Sequence, residues 1–353
     1  MASPSISLCM IVKDEAEVLP ECLSSVVRIV DEMIIVDTGS TDNTVAIAES
    51  FGARVIRMPW PDSFALARNR GLEEAAGDWI LWLDADEQMD VRQGADLKRV
   101  LTRDIIREER IEGIQFQFRN YLDDGLVEKV AKVRLIRNRP EHRFEGSIHE
   151  YILPSVQRRD PDYRLGEVDI QVHHYGYLPQ YVIRKDKVRR NIALLLKERT
   201  DDPGNAIPLF YLGMEYYRIH EPENALEYLR SFLADAPDVP IQMVSTAHKA
   251  RLLVLQQLHH YMELIQQANE SIALFPAYTD LYHLQADGWR ELGRPDKAIQ
   301  ALQQALQIGP ASGWYASLEG IGSYRTCREL SDLYESIGDV EQARVYRVQA
   351  RQK

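Results

Sequence analysis

The stretch MIIVDTGSTDNTVAIAESFGARVIRM, residues 33–58, decides the fold. An apolar run at 33–36, rich in Ile and Val, has the length and composition of a buried strand and stops at Asp37. The loop that follows carries turn and capping chemistry. Gly39 suits a tight turn, and Ser40, Thr41 and Asp42 are candidate caps for a helix expected over 43–51. A second strand is expected over 54–58. Strand, helix and strand in immediate succession make a parallel crossover unit.

The same alternation runs outward from this unit. Strands are expected over 6–12 and 79–83, and helices over 16–30 and 64–76. Alternating β and α elements imply a largely parallel sheet covered by helices. Ligands of such sheets sit at the C-terminal ends of the strands. Polar residues collect there in three loops: Lys13-Asp14-Glu15, Asp37-Thr38-Gly39-Ser40-Thr41-Asp42 and Asp84-Ala85-Asp86-Glu87.

The third loop closes the stretch GDWILWLDADEQMD, residues 77–90. On an extended chain Asp84 and Asp86 point the same way, Ala85 and Glu87 the other, and Asp90 falls in a loop beyond. Two carboxylates on one side suit one cation, and equally a polar strand end before a solvated loop. Asp-x-Asp alone is weak, since Asp160-Pro161-Asp162 repeats it where nothing else suggests a site. Asp37, an acid ending a buried strand, needs a donor, and an imide or amine of a nucleobase is one. Neither G-x-G-x-x-G nor G-x-x-x-x-G-K-[ST] occurs, so phosphates must be neutralised differently. Magnesium or manganese on Asp86, assisted by Asp84, does that, because these ions favour carboxylate and phosphate oxygens. Arg68 and Arg70 are either cationic help or exposed helix arginines.

Beyond residue 114 the segments IQFQFRN, AKVRLIRN and EVDIQV read as further strands. After HHYGYLPQY at 173 the chain turns helical, with a connecting helix expected over 181–198 and a boundary at TDDPGNAIP. The C-terminal part repeats itself: LFYLGMEYYRIHEPENALEYLRSFLADAP at 209 against LYHLQADGWRELGRPDKAIQALQQALQIGP at 281. Gly213 and Ala286 precede Ala225 and Ala298 by twelve positions, and Pro237 and Pro310 close the units twelve further on. Small residues at those places let paired helices approach, and stacking buries what one pair cannot. The pattern looks like tetratricopeptide repeats, with a divergent unit ending at Pro276 and a last one around 331–343; the alternative is a plain helical bundle.

With 353 residues the chain has room for two domains, and 45% hydrophobic and 27% charged residues are ordinary for a globular protein. A formal charge of −12 gives no electrostatic footprint for nucleic acid. The run at 6–12 is stopped by Lys13, Asp14 and Glu15, so neither a signal peptide nor a membrane span is expected. Cys9, Cys22 and Cys327 are odd in number and lack metal-ligand spacing, which points to a reducing cytoplasm.

SLCMIVKDEAEVLPECLSSV, DEMIIVDTGSTDNTVAIAESFGA and SFALARNRGLEEAAGDWILWLDADE resemble, in order and spacing, the nucleotide-binding half of family 2 glycosyltransferases of the GT-A fold. EGSIHEYI, HHYGY and the repeats resemble a bacterial subgroup that includes bacteriocin S-glycosyltransferases and lipooligosaccharide core glucosyltransferases. The resemblance implies an α/β GT-A (Rossmann-like) domain over 1–178, a connecting segment over 179–206 and an all-α tetratricopeptide-repeat domain over 207–353. It also implies site roles. Asp37 would contact uracil, with Val12 and Glu15 lining the base pocket, Arg68 near base or diphosphate, and Asp84 and Ala85 on the nucleotide-sugar side. Asp86 would hold Mn2+ or Mg2+, with His174 rather than His173 as a later ligand because it lies directly against Tyr175-Gly176 as in relatives; neighbouring strand residues point to opposite sides, so only one of the two should face the site. Glu150 would be the base, with His149 and Glu145 behind it.

The implied activity is metal-dependent, inverting transfer of a hexose or N-acetylhexosamine from a UDP-sugar to a peptide, protein or glycan acceptor held partly by the repeats. A homodimer through the repeats explains them equally well. Two rivals are a nucleotidyltransferase and a non-catalytic repeat scaffold with a degenerate nucleotide-binding domain.

Overall fold

The computed structural model describes residues 4–94, 96–102, 110–122, 125–178, 185–235 and 239–351. They form two compact units, Met1–Gly125 with Ala131–Arg184, and Leu126–Val130 with Lys185–Lys353.

The first unit runs β1 (Ile6–Val12), α1 (Leu19–Val26), β2 (Glu32–Asp37), α2 (Thr44–Ser50), β3 (Arg54–Arg57), α3 (Phe64–Leu72), β4 (Trp79–Trp82) and β5 (Glu87–Met89). Two short helices, α4 (Val91–Gly94) and α5 (Leu97–Leu101), precede β6 (Ile111–Tyr121), β7 (Val127–Arg137), α6 (Leu153–Arg159) and β8 (Arg164–His174). The sheet order is β3-β2-β1-β4-β7-β6-β8-β5. β1 to β4 are mutually parallel, and β7 then pairs antiparallel with β4. Strands of the parallel part are covered on both faces, which is why β1, β2 and β4 read as nearly unbroken apolar runs. Ile34, Ile80, Trp82, Ile136 and Phe144 meet in one buried cluster over them. Register places Val12 opposite Asp37, so the loops after β1 and β2 leave the sheet side by side.

Two expected elements differ. The helix expected over 16–30 is only α1, Leu19–Val26, with Pro20 in its first turn. Residues 14–16 are needed elsewhere, because their amides donate to Ser40 Oγ, Thr44 Oγ1 and Asp42 Oδ2 at 2.8–3.1 Å. The chain after β4 is not extended either. Glu87 N donates to Asp84 O at 3.0 Å, closing a turn that sends β5 back antiparallel to β8.

In the second unit α7 (Lys185–Asp201) packs on α8 (Ile207–Arg218), so the segment expected as a connector belongs to this unit from Lys185 onward. α8 pairs with α9 (Pro222–Asp235), α10 (Ile241–Gln257) with α11 (Tyr261–Leu274), and α12 (Thr279–Glu291) with α13 (Pro295–Ile308). After a two-residue strand, β9 (Ser317–Leu318), α14 (Tyr324–Ser336) pairs with α15 (Val340–Gln349). These four hairpins use small residues as the sequence pattern requires. A Cβ on Gly213 would come within 2.7 Å of Leu229 Cγ, while Ala225 and Ala298 are wholly buried. In the last pair Ser331, twelve before Ala343, donates to its carbonyl at 2.9 Å. Pro237 lies outside the described residues. No described helix is long and apolar enough to cross a membrane.

Two buried polar side chains inside this unit show how such groups are accommodated. Lys249, a buried residue, brings its Nζ to Ala316 O at 2.6 Å and to both Glu128 and Asp280 at 3.2 Å. A buried cation survives only with such partners. His248 is the opposite case. It is 8% exposed, its Nδ1 lies 2.8 Å from Ser271 Oγ, and burial, then the Arg251 charge, pulls it down to about 4. The unfolded imidazole titrates near ~6.5, so the His248 contribution is complete above that pH and is lost as pH falls through about 4, roughly 3 kcal/mol in all. Urea unfolding at pH 7 and pH 4.5 should show this loss in the wild type and a much smaller one in His248→Gln. Equal slopes in the two proteins would remove the imidazole as the cause.

Candidate active site

The first two loops are stitched to each other. Asp14 is in the left-handed region, φ +53°, which turns its carboxylate to accept from Thr41 N at 2.7 Å while its own amide reaches Ser40. Asp42 accepts from Thr44 N and Ala16 N at 2.9 and 3.1 Å. Ser40, Thr41 and Asp42 therefore brace one loop against the other, and Asn43, at the cap position of α2, makes no side-chain capping bond. Asp37, buried at the end of β2, receives Gly39 N at 3.3 Å and Ser40 N at 3.2 Å. Its own loop thus supplies two donors to this carboxylate. Val12, buried, receives Thr38 N at 3.0 Å on its carbonyl.

The third loop holds its acids in three different states. Asp84 accepts from Arg68 Nη2 at 2.6 Å and lies 3.5 Å from Arg134 Nη2. Burial opposes its charge, yet the two guanidiniums hold its carboxyl well below the usual carboxylate range. Glu87 is 1% exposed and takes Arg134 Nη2 and Nε at 2.6 and 3.2 Å, with Asp84 N at 3.0 Å. Asp86 pairs with no arginine among the described residues. Burial, then the charges of Asp84, Glu87 and Glu15, push it up to about 7. His174 Nε2 lies 3.8 Å from Asp86 Oδ1. The turn, not strand alternation, separates Asp86 from Asp84, and Glu87 anchors the turn from within.

His173 and His174, the last residues of β8, do point apart. His173 Nδ1 meets Tyr121 OH at 2.7 Å, whereas His174 turns toward Asp86. Gly176 keeps the space between them open: a Cβ there would run into Asp86 Oδ2 and come 2.8 Å from His174 Nε2. One carboxylate, one imidazole and a cleared gap fit a divalent cation that takes its remaining ligands from a phosphate-bearing substrate. A closed cage is absent: among the described residues, no three His, Cys, Asp or Glu side chains group to hold a metal.

Arg68 links this loop to the expected base. It is 8% exposed, its Nε donates to Glu150 and its guanidinium lies 5.6 Å from the centre of the Phe144 ring. Two antiparallel bonds between Glu145 and Tyr151, 2.9 and 3.0 Å, close the loop that presents Glu150, with His149 at φ +53°. The Glu145 carboxylate is engaged by Arg158, and Arg70 pairs with Glu74 at 2.7 Å on the surface of α3. Asp160 and Asp162, the second Asp-x-Asp, pair with Arg110 at 3.6 and 3.4 Å away from all of this.

Residues 7–103 match glycosyl transferase family 2. A TPR repeat-containing protein of Synechococcus elongatus is 32% identical over 325 residues, 88% of this chain and 77% of that protein. The chain belongs to glycosyl transferase family 2. In this glycosyltransferase the α/β domain is fused to tetratricopeptide repeats. The SPbeta prophage-derived glycosyltransferase SunS of Bacillus subtilis is 29% identical over 231 residues, 65% of this chain and about half, 53%, of SunS. Among solved structures, a crystal structure of MamA is 23% identical at a TM-score of 0.40, over 47% of this chain and 88% of that one.

The glycosyltransferase brings Glu15, Arg68, Asp84, Ala85, Asp86, His174 and Glu150 to one end of its sheet. Sequence reasoning passed over Asn120 and gave Arg134, Glu87 and Gly176 no specific role at the site. Only Gly176 left a usable signal, as the glycine next to a histidine pair after a strand.

Proposed function

We propose that this glycosyltransferase is metal-dependent and inverting, and that it transfers a hexose or N-acetylhexosamine from a UDP-sugar to a peptide, protein or glycan acceptor. The observation that supports this reading is the pairing of Asp86 with His174 across a gap that Gly176 keeps clear. Mn2+ or Mg2+ held there would stabilise charge on the departing diphosphate. Asp37, Val12 and Glu15 line the uridine side, and Arg68 with Asp84 and Ala85 orients the ribose and diphosphate. Glu150 takes the proton of the acceptor hydroxyl or thiol as that atom attacks the anomeric carbon and the diphosphate leaves on the opposite face. His149, in its left-handed conformation, shapes the tight turn that presents this carboxylate. The repeats offer stacked helices on which an extended peptide can lie, or a second copy can dock.

A panel of nucleotide sugars, each with Mn2+ or Mg2+, tests the reading without an acceptor. Free UDP should appear from one UDP-sugar and cease on chelation. Turnover that survives chelation, or release of pyrophosphate in place of UDP, would overturn it.

A further inference from the structure

Three strands remote in sequence lie side by side at this site. β6 pairs with β8 with Asn120 opposite His174, and β5 pairs with the other edge of β8 with Glu87 opposite the same histidine. Residues directly opposite in neighbouring strands share a face, so Asn120, His174 and Glu87 form one row across the sheet. Asn120 is 2% exposed, and its Oδ1 lies 2.9 Å from His174 Nδ1. A carboxamide oxygen only accepts, so the imidazole proton sits on Nδ1 and the lone pair on Nε2. Nε2 is the atom that faces Asp86. Tyr177 packs edge-on against the ring at 4.8 Å and restrains its rotation.

We propose that Asn120 is a positioning residue of the cation site: it fixes His174 in the Nδ1–H tautomer and so presents the Nε2 lone pair beside Asp86. This rests on the reading of Asp86 and His174 as a metal-binding pair. A histidine ligand needs its second nitrogen held by an acceptor, which sets both tautomer and ring orientation. Without Asn120 the proton is free to move to Nε2, where it aims a donor at the cation.

Two measurements on the full chain test this. In metal-free protein, 15N NMR of the imidazoles, with the His174 signal assigned by its loss in His174→Gln, should show Nδ1–H in the wild type and a shift toward Nε2–H in Asn120→Ala. Mn2+ titration followed by electron paramagnetic resonance, with UDP present, should then weaken about tenfold or more in Asn120→Ala. Asn120→Asp keeps an acceptor in place and should retain affinity within about threefold, while UDP binding without metal is unchanged in both variants. A wild-type tautomer already on Nε2, or Mn2+ affinity in Asn120→Ala equal to wild type while His174→Gln is impaired, overturns the role of Asn120 alone. Mn2+ binding that neither His174→Gln nor Asp86→Asn weakens overturns the metal reading and this proposal with it.

Discussion

Asp86→Asn is expected to cut Mn2+-dependent UDP release about a thousandfold, on the order of 4 kcal/mol of transition-state stabilisation, with no loss of melting temperature. The size follows from the loss of the one acid in the turn that no arginine neutralises. The stability half follows from electrostatics. Asp86 is 31% exposed in its side chain, and Asp84, Glu87 and Glu15 all repel it. Removing its charge therefore relieves repulsion in the protein without a cation. Asp84→Asn behaves oppositely, because it takes one carboxylate from each of Arg68 and Arg134, leaving them Glu150 and Glu87, and should lower the melting point. An Asp86→Asn protein that turns over donor at the wild-type rate would refute the site. One that melts many degrees lower would refute the electrostatic account.

The largest stability effect is expected at Arg68. Arg68→Met keeps the apolar stem beside Phe144 but strips the shared guanidinium from Asp84 and Glu150. Breaking a buried pair leaves an uncompensated charge, here Glu150, and leaves Asp84 with Arg134 alone, for roughly 3–5 kcal/mol. Arg68→Lys should lie closer to Met than to wild type, since a single ammonium cannot span two carboxylates with fork geometry. Denaturant unfolding followed through the first unit's tryptophans, Trp60, Trp79 and Trp82, reads the effect. The triple variant Arg68→Met, Asp84→Asn, Glu150→Gln should recover most of it, because no charge remains uncovered. Failure of the triple to recover would show that packing, not charge, sets the cost.

Much of this was legible in the chain. The β-α-β order of the first part shows in sequence because burial on both faces leaves nearly unbroken apolar runs such as Ile6–Val12 and residues 33–36. The repeats show because Gly213, Ala225, Ala286 and Ala298 must stay small where helices touch. Asp86 and His174 stood out by their positions near strand ends and by resemblance to relatives, and a metal-binding role is proposed for them. The partners of Asp37, Ser40 and Thr41 were not legible, although Asp42 does meet the first amide of α2 as a cap would. Spacing says where a polar side chain sits along the chain, not which backbone amide of the next loop it will meet.

What the sequence determined by itself is the order of elements, the repeat pattern and the presence of acids at strand ends, since each depends on local periodicity. Tertiary structure alone decided the division of labour among those acids. Arg134 arrives from β7 and Arg68 from α3 to discharge Asp84, and Arg134 alone covers Glu87, while Asp86 is left uncovered. Asn120 and His174, more than fifty positions apart, become neighbours through β6–β8 register. Charge compensation and tautomer choice act through space over a few ångströms, and no spacing along the chain encodes which cation or acceptor folding will bring that close.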